Sequence, residues 1–505
     1  MQQRSVFDLS HERKLSMDMG KLVPIFCEEV VPGDTFKAKT QMLIRISPML
    51  APVMHRMSAF THFFFVPTRL LQTNWEAFIT GGPAGTDATV IPTVSSGAAQ
   101  SGGQVAGTLW DYFGLPTDIE ELSVLAYPFR AYGLIYNEWY RDQNLQSKVT
   151  VSLGDGADTT TNMTLLSRNW EKDYFTSALP YPQRGTGVTL PLGTSAPVLG
   201  IGKVSNTFGT NYVDLYDSAS ARPTYAGGSV IDNSGDMQFV VEKKVGSDFP
   251  NIRADLSNAT AATINDLRQA FQLQKWMEKN ARGGVRYVES ILAHFGVRSS
   301  DARLQRPEFL GGGRSPIVVS EVIQTAPTVS GQTPLATMAG HGFSAQQSHE
   351  FSKSFEEHGY IIGILSIMPR TAYQEGCPRM WNRTSKLDFY WPSFAHLGEQ
   401  AILNKEIYAG AASPTGVFGY APRYEEYRQR ESSVHGDFKS TLNYWHMGRI
   451  FGVTEPSLNS AFVTADPTKR INAVTNAHNC WVQILNTVQA IRPIPKYGNP
   501  GLIDH

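Results

Sequence analysis

Residues 36–46 read FKAKTQMLIRI. Phe36, Ala38, Met42, Ile44 and Ile46 alternate with Lys37, Lys39, Gln41 and Arg45. A two-residue period puts one set on each face of a strand, so this stretch predicts a β-strand with one wet face and one buried face. Leu43 alone places an apolar side chain on the wet side. Ser47-Pro48 then turns the chain, and residues 54–67, MHRMSAFTHFFFVP, begin alternating and end as a continuous apolar run. A strand covered on both faces loses its alternation in this way.

Two further stretches carry the same signal. Tyr360 to Met368 is an apolar run bounded by Gly359 and Pro369, and residues 480–491, CWVQILNTVQAI, alternate again before Pro493 and Pro495. Helical pieces interrupt the strands without alternating regularly with them, which disfavours a parallel α/β sheet. Residues 108–114, TLWDYFG, end at Gly114 with Pro116 beyond, and Phe129, Tyr132, Tyr136 and Trp139 recur at helical spacing over 129–141. A helical insertion is expected at 263–296, opened by the capping pattern Thr263-Ile264-Asn265-Asp266 and stopped at Gly296. Strands near both ends with long insertions between them predict one all-β sandwich over 1–505, not a string of domains.

Residues 186–262 differ in character. They are rich in Gly, Ser, Thr and Asn and contain no Cys, His or Trp. They read either as a long surface loop or as an elaborated protrusion carrying a binding role. In the second reading Phe208, Tyr212, Tyr216, Tyr225 and Phe239 are the apolar and aromatic points through which such a protrusion would make contact.

The chain has 505 residues with Lys plus Arg 44 and Asp plus Glu 45, a formal net charge of −1. A protein that neutralised a genome by itself would carry a basic excess. In the N-terminal segment Arg4, Arg13, Lys14 and Lys21 are offset by Asp8, Glu12 and Asp18, so it predicts an extended arm against neighbouring subunits or an inner surface, not a strong DNA anchor. Charged residues are only 18%, below the usual quarter, as expected where other protein covers part of the surface. Cys27, Cys377 and Cys480 are far apart and form no CxxC pair, which fits a reducing cytoplasm and no zinc site. No apolar leader opens the chain and no apolar run is long enough to span a bilayer, so no membrane insertion is expected.

Catalytic patterns fail on inspection. GIGKV (200–204) lacks the first glycine of a phosphate loop and has Val204 where a hydroxyl belongs. GGGRS (311–315) reads as a tight structural turn. The two histidines of 349–358 are nine apart, not four, and read as a solvated stretch. GFSAQ (342–346) lacks the second glycine of a nucleophile elbow. No catalytic residue, cofactor site or metal ligand is expected.

Several blocks are similar to the major capsid proteins of the gokushovirus branch of the Microviridae. They include RSVFDLSHERKLSMDMGKLVPI (4–25), PMLAPVMHRMSAFTHFFFVPTRLL (48–71), RAYGLIYNEWYRDQNL (130–145) and RNWEKDYFTSALPYPQRG (168–185). Others are YVESILAHFGVRSSDARLQRPEFLGGGRSPI (287–317), FEEHGYIIGI, DFYWPSFAHLGEQAI and PIPKYGNPGLIDH. The resemblance implies an eight-stranded antiparallel viral jelly roll with long loop and helical insertions. It implies a T=1 icosahedral homo-oligomer around circular single-stranded DNA, assembled in a bacterial host's cytoplasm. It implies a variable threefold protrusion at 186–262 that meets a host cell-surface receptor, and a separate small basic DNA-packaging protein. The rival readings are a carbohydrate-binding or carbohydrate-active β-sandwich, favoured by its Trp and Tyr content, and a single-strand-binding protein, for which no basic stripe with interleaved aromatics is visible.

Overall fold

The computed structural model describes residues 4–188, 264–325 and 334–496, together with the strand pieces Val198–Leu199, Ile201–Lys203, Tyr212–Val213, Phe239–Glu242 and Arg253–Ala254. It divides into two units, one of residues 1–184 with 279–505 and one of residues 185–278.

The first unit is built on β1 (Ser5–Asp8), β2 (His11–Met17), β3 (Val23–Val30), β4 (Thr35–Ile46), β5 (Met57–Pro67), β6 (Glu308–Ile323), β7 (Met338–Ser354), β8 (Gly359–Pro369) and β9 (Cys480–Arg492). Every pairing among them is antiparallel, in the order β1–β9–β4–β7–β6–β5–β8–β3, with β2 also on β9. β1 and β2 lie end to end along β9, Ser5–Asp8 opposite Gln489–Arg492 and His11–Met17 opposite Cys480–Asn486. Counted as one broken edge strand, they leave eight strand positions, the number a jelly roll needs.

The sheet curls because β6 changes partner along its length. Glu308 to Ile317 pairs with β5, and Val318 to Ile323 pairs with β7. The two halves therefore face each other across one core, in which Phe36, Ile44, Ile484 and Val488 from one half meet Ile25, Phe63, Ile361 and Leu365 from the other. Each large apolar side chain buried there contributes about 1.5–3 kcal/mol.

The two halves are covered differently. Along β4 and β9 buried and exposed residues alternate strictly, so one face of that half is open. β8 is buried at every position and β5 at all but His62. Their alternate residues enter a second core, where Phe64, Val66, Ile362 and Ile364 pack against Trp110 and, from α1 (Tyr127–Ile135), Phe129 and Tyr132. The apolar runs of β5 and β8 thus mark strands packed on both faces, as their composition predicts.

Several sequence readings need correction. GGGRS lies inside β6 and is not a turn. A register shift falls between Phe309 and Gly311, and a Cβ on Gly312 would strike the Thr61 carbonyl of β5. The glycines serve close strand approach at a bulge. The histidine-bearing stretch is solvated on one side only: His349 to Ser354 end β7, Phe351 and Phe355 enter the main core, and Glu350, Ser352 and Glu356 stay exposed. Ser344 is buried, and its hydroxyl donates to the Pro316 carbonyl at 2.8 Å.

The helical insertion forms α2 (Ile264–Gly283) and α3 (Tyr287–Phe295), the latter ended by Gly296 at φ 69°. The second unit contains a three-stranded antiparallel sheet, in which Phe239–Glu242 pairs with Ile201–Lys203 and Tyr212–Val213, and a separate pair of Val198–Leu199 with Arg253–Ala254.

Candidate interaction surfaces

Among the described residues no group of His, Cys, Asp and Glu could hold a metal ion, and no helix is long and apolar enough to cross a membrane. A cleft of about 850 Å³ opens beside Trp139 and Phe309. Its charges are engaged with one another. Lys172 meets Asp142 at 2.6 Å, Arg286 meets Glu289 at 3.0 Å, and Arg370 meets Glu171 at 3.0 Å. His62, at its wall, is buried and bonded to the Tyr140 hydroxyl at 2.7 Å. Burial, with the charges of Arg168 and His349, pushes it down to about 4. That leaves a neutral imidazole without an acidic or nucleophilic partner.

A concentration of uncovered rings lies on the loop 380–397. Trp381 is 73% exposed, and Phe389, Tyr390, Trp391 and Leu397 are about half exposed or more. An aqueous surface patch of this kind marks a contact with another protein. The rings are not loosely held. Asp388 accepts from the Thr384 and Ser385 amides at 2.8 and 2.7 Å, and Trp391 Nε1 donates to the Lys386 carbonyl at 2.8 Å. Arg383 lies over both Phe389 and Tyr427, 5.2 and 4.7 Å from their ring centres. Beneath, Arg379 reaches the buried Glu406 at 3.3 Å, and Tyr174 donates to the same carboxylate at 3.0 Å. Burial raises the Glu406 carboxyl above its usual value. Rings fixed in advance lose little entropy on docking. The block DFYWPSFAHLGEQAI was visible in the sequence, but nothing in its order says that its rings face outward.

The second surface is the open face of β2, β9, β4 and β7. Trp481 is 47% exposed there, opposite Ser16 on one side and Arg45 on the other. Phe343 follows on β7, opposite Arg45. Lys39 pairs with Glu350 at 3.1 Å, the two lying opposite in register.

The predicted N-terminal cations separate. The segment is extended, and its strand partner is β9 of its own chain. Arg4 and Lys14 are exposed, with Lys14 opposite Gln483 on the open face. Arg13 is half-buried, and burial lowers its guanidinium's affinity for a proton. Lys21 donates to the Ser167 hydroxyl at 3.0 Å. Of the residues expected in the insertion, Tyr212 pairs opposite Glu242 and Phe239 opposite Lys203. Phe208, Tyr216 and Tyr225 lie outside the described residues.

Comparison with known proteins covers the whole chain. Residues 1–502 match the family described as capsid protein (F protein). The capsid protein VP1 of Bdellovibrio phage phiMH2K is 40% identical, over 98% of this chain and 95% of its own. The capsid protein VP1 of Chlamydia phage 1 is 38% identical, over 99% and 96%, and that of Spiroplasma virus 4 is 34% identical, over 99% and 95%.

Proposed function

The chain belongs to the capsid protein (F protein) family, and from that premise we propose that it is the major structural subunit of a T=1 icosahedral shell closed around a circular single-stranded DNA phage genome. It is a building block and not an enzyme. The observation that carries this reading is the rigid aromatic loop 380–397 on a sandwich whose own cores are already complete. Such rings become favourable only when a second copy covers them, which makes assembly the way the chain buries its remaining apolar surface.

The insertion of residues 186–262 serves as the outward protrusion and host contact. Its support is that it falls within a unit of its own, residues 185–278, and leaves a gap in the run of capsid-like blocks. Bulk neutralisation of the genome falls to a small basic packaging protein, because the chain's net charge is −1. Shells form in the host cytoplasm and the chain ends in the virion.

Electron microscopy and size-exclusion chromatography of the purified chain test this. The wild type is expected to close into shells, and Trp381→Asp with Phe389→Asp to remain as folded protomers. Charge variants that assemble as readily as wild type would remove the loop from the contact. Replacing residues 186–262 with a Gly/Ser linker is expected to leave shells intact but unable to adsorb to cells.

A further inference from the structure

Residues 432–449 lie between β8 and β9 and are fastened to three other segments of the sandwich unit. The Met54 amide, ahead of β5, donates to the Trp445 carbonyl at 2.8 Å. Just past β8, the Tyr373 amide donates to the Ser432 carbonyl at 2.9 Å, and the Arg449 amide donates to the Ala372 carbonyl at 2.8 Å. Arg470, shortly before β9, donates to the Asn443, His446 and Gly448 carbonyls at 2.9, 3.0 and 2.8 Å. Anchored in this way, the loop places Met447 in the main core.

His446 sits among these fasteners and is 4% exposed. Its Nε2 lies 2.8 Å from the Phe438 carbonyl, which can only accept, so that nitrogen carries the proton. Its Nδ1 is left as an acceptor, taking the Gly448 amide at 3.0 Å and the Arg470 guanidinium at 3.3 Å. The neutral ring satisfies every partner. A second proton would make Nδ1 a donor facing two donors, one of them cationic. His55 packs close by, against the Arg370 carbonyl, and feels the charges of His446, Arg470 and Arg56. Burial is the first cause that holds both imidazoles below 6.5, and Arg470 adds to it. The cleft of about 570 Å³ beside the two rings also carries Arg56, Arg370 and His435, and no Asp or Glu lines it. Glu171 and Asp173 are already engaged, the first by Arg370 and the second by the Thr371 and Tyr373 hydroxyls. Asp437 and Lys439 stand exposed on the loop, and Glu431 is half-exposed ahead of it.

We infer that His446 and His55 form an acid-sensitive latch, which releases the loop 432–449 from Arg470 and withdraws Met447 from the core when the two rings take up protons. The latch belongs to the subunit itself; that its opening loosens a shell rests on the capsid reading. A closed loop that holds its histidines below their free value binds protons more weakly than an open one. The loop is therefore shut above about 6.5 and opens as pH falls below it. Each unit by which a histidine is held down multiplies the open-to-closed ratio by about ten in acid. Two histidines make the opening steeper than one.

His62 drains stability from the whole sandwich in the same window, so the readout must be local to the loop. Hydrogen exchange of the full-length protein, read by mass spectrometry and corrected for the intrinsic effect of pH, supplies it. Protection of residues 443–449 is expected to fall about tenfold or more between about pH 7.5 and 5, while that of 359–369 changes little. Nuclear magnetic resonance of carbon-labelled histidine is expected to show His446 titrating with the same midpoint. In His446→Gln the side-chain carbonyl can still accept from Gly448 and Arg470 but takes up no proton. That variant is expected to stay closed in acid, and His55→Gln to lose part of the response. Constant protection of 443–449 across the range would overturn the latch, as would a full response in the His446→Gln, His55→Gln double variant. Should His446→Gln leave the loop open at every pH, the wild type decides. Opening and His446 protonation at one midpoint support the latch, and different midpoints overturn it. Wild-type shells are expected to loosen over the same range, and shells that hold unchanged would overturn the latch's role in the coat. A chain whose loop opens with His446 but which never forms shells would sink the coat reading and leave the latch standing.

Discussion

Arg130 and Asp158 meet inside the second core, Nε to Oδ2 at 2.8 Å, with both side chains sealed from solvent. The same guanidinium donates to the Leu71 carbonyl at 2.8 Å and the Gly154 carbonyl at 2.9 Å. Asp158 also accepts from the Thr161 hydroxyl at 2.6 Å and from the Thr160 and Thr161 amides. One ion pair therefore joins α1, the end of the segment after β5, and the loop around 154–161. Helix and loops are held as the layer that covers β5 and β8.

Removing one partner of such a pair leaves the other charge buried and uncompensated, which costs about 3–5 kcal/mol. Arg130→Met is therefore expected to lower the denaturant midpoint of the protomer sharply and to reduce soluble yield. Burial pushes the Asp158 carboxyl up, but the hydrogen bonds from Thr161, Thr160 and Arg130 outweigh it and hold it below the usual carboxylate value. The stabilisation from this group is complete above the unfolded value of about 3.9 and is lost as pH falls through the lower folded one. Asp158→Asn is expected to flatten that part of the acid-unfolding curve, read by circular dichroism.

His62 gives a second pH dependence in a higher window. Burial comes first among its causes and moves it from 6.5 to about 4. The unfolded chain accepts this proton near 6.5 and the folded chain refuses it until about 4. Its stabilisation is whole above about 6.5 and drains away as pH falls toward 4. Melting temperatures of His62→Phe are expected to vary less with pH across that window than those of wild type.

Asn486 is buried between the two halves of the sheet. It accepts from the Thr40 hydroxyl at 2.8 Å and donates to the Ile25 carbonyl of β3 at 3.3 Å. Asn486→Leu keeps the volume but strands the Thr40 hydroxyl, the Ile25 carbonyl and His11 Nε2, which the amide also meets at 3.2 Å, at a cost of about 1–3 kcal/mol. The expected result is a lower urea midpoint with an unchanged slope. Adding Thr40→Val, which removes one stranded group, is expected to recover part of the loss.

Gly312→Ala tests the bulge of β6. The new Cβ would meet the Thr61 carbonyl, a backbone atom that cannot rotate away. Overpacking of this kind costs about 1–3 kcal/mol or more. Reduced melting temperature and poor shell yield are expected, whereas Gly436→Ala, whose Cβ has open space but a φ of 63°, is expected to cost less and leave shells unaffected.

The strands read at 36–46, 54–67, 360–368 and 480–491 were legible in the sequence because period-two patterning is a local property, although the second begins only at Met57. Each residue's side is set by its neighbours two places away. The continuous apolar run that ends 54–67 also announced that its strand is covered on both faces. The helices 264–283 and 287–295 were legible for the same reason, since spacing, a capping pattern and a terminal glycine all lie within one segment. The capsid-like blocks carried the family.

Which strands become neighbours was not legible. GGGRS looked like a turn because glycines usually mark one. It is a strand because Thr61, some 250 residues earlier by number, brings its carbonyl against Gly312. The N-terminal segment read as an extended arm, and which strand it would pair with could not be read: it lies along a strand at the other end of the chain, His11 opposite Asn486. Nor did the sequence separate the rings of DFYWPSFAHLGEQAI, left bare, from those of 127–136, sealed in a core. Alternation says which residues share a face, but not what covers that face. Covering and pairing are set by contacts between distant segments, and only the folded chain brings those segments together.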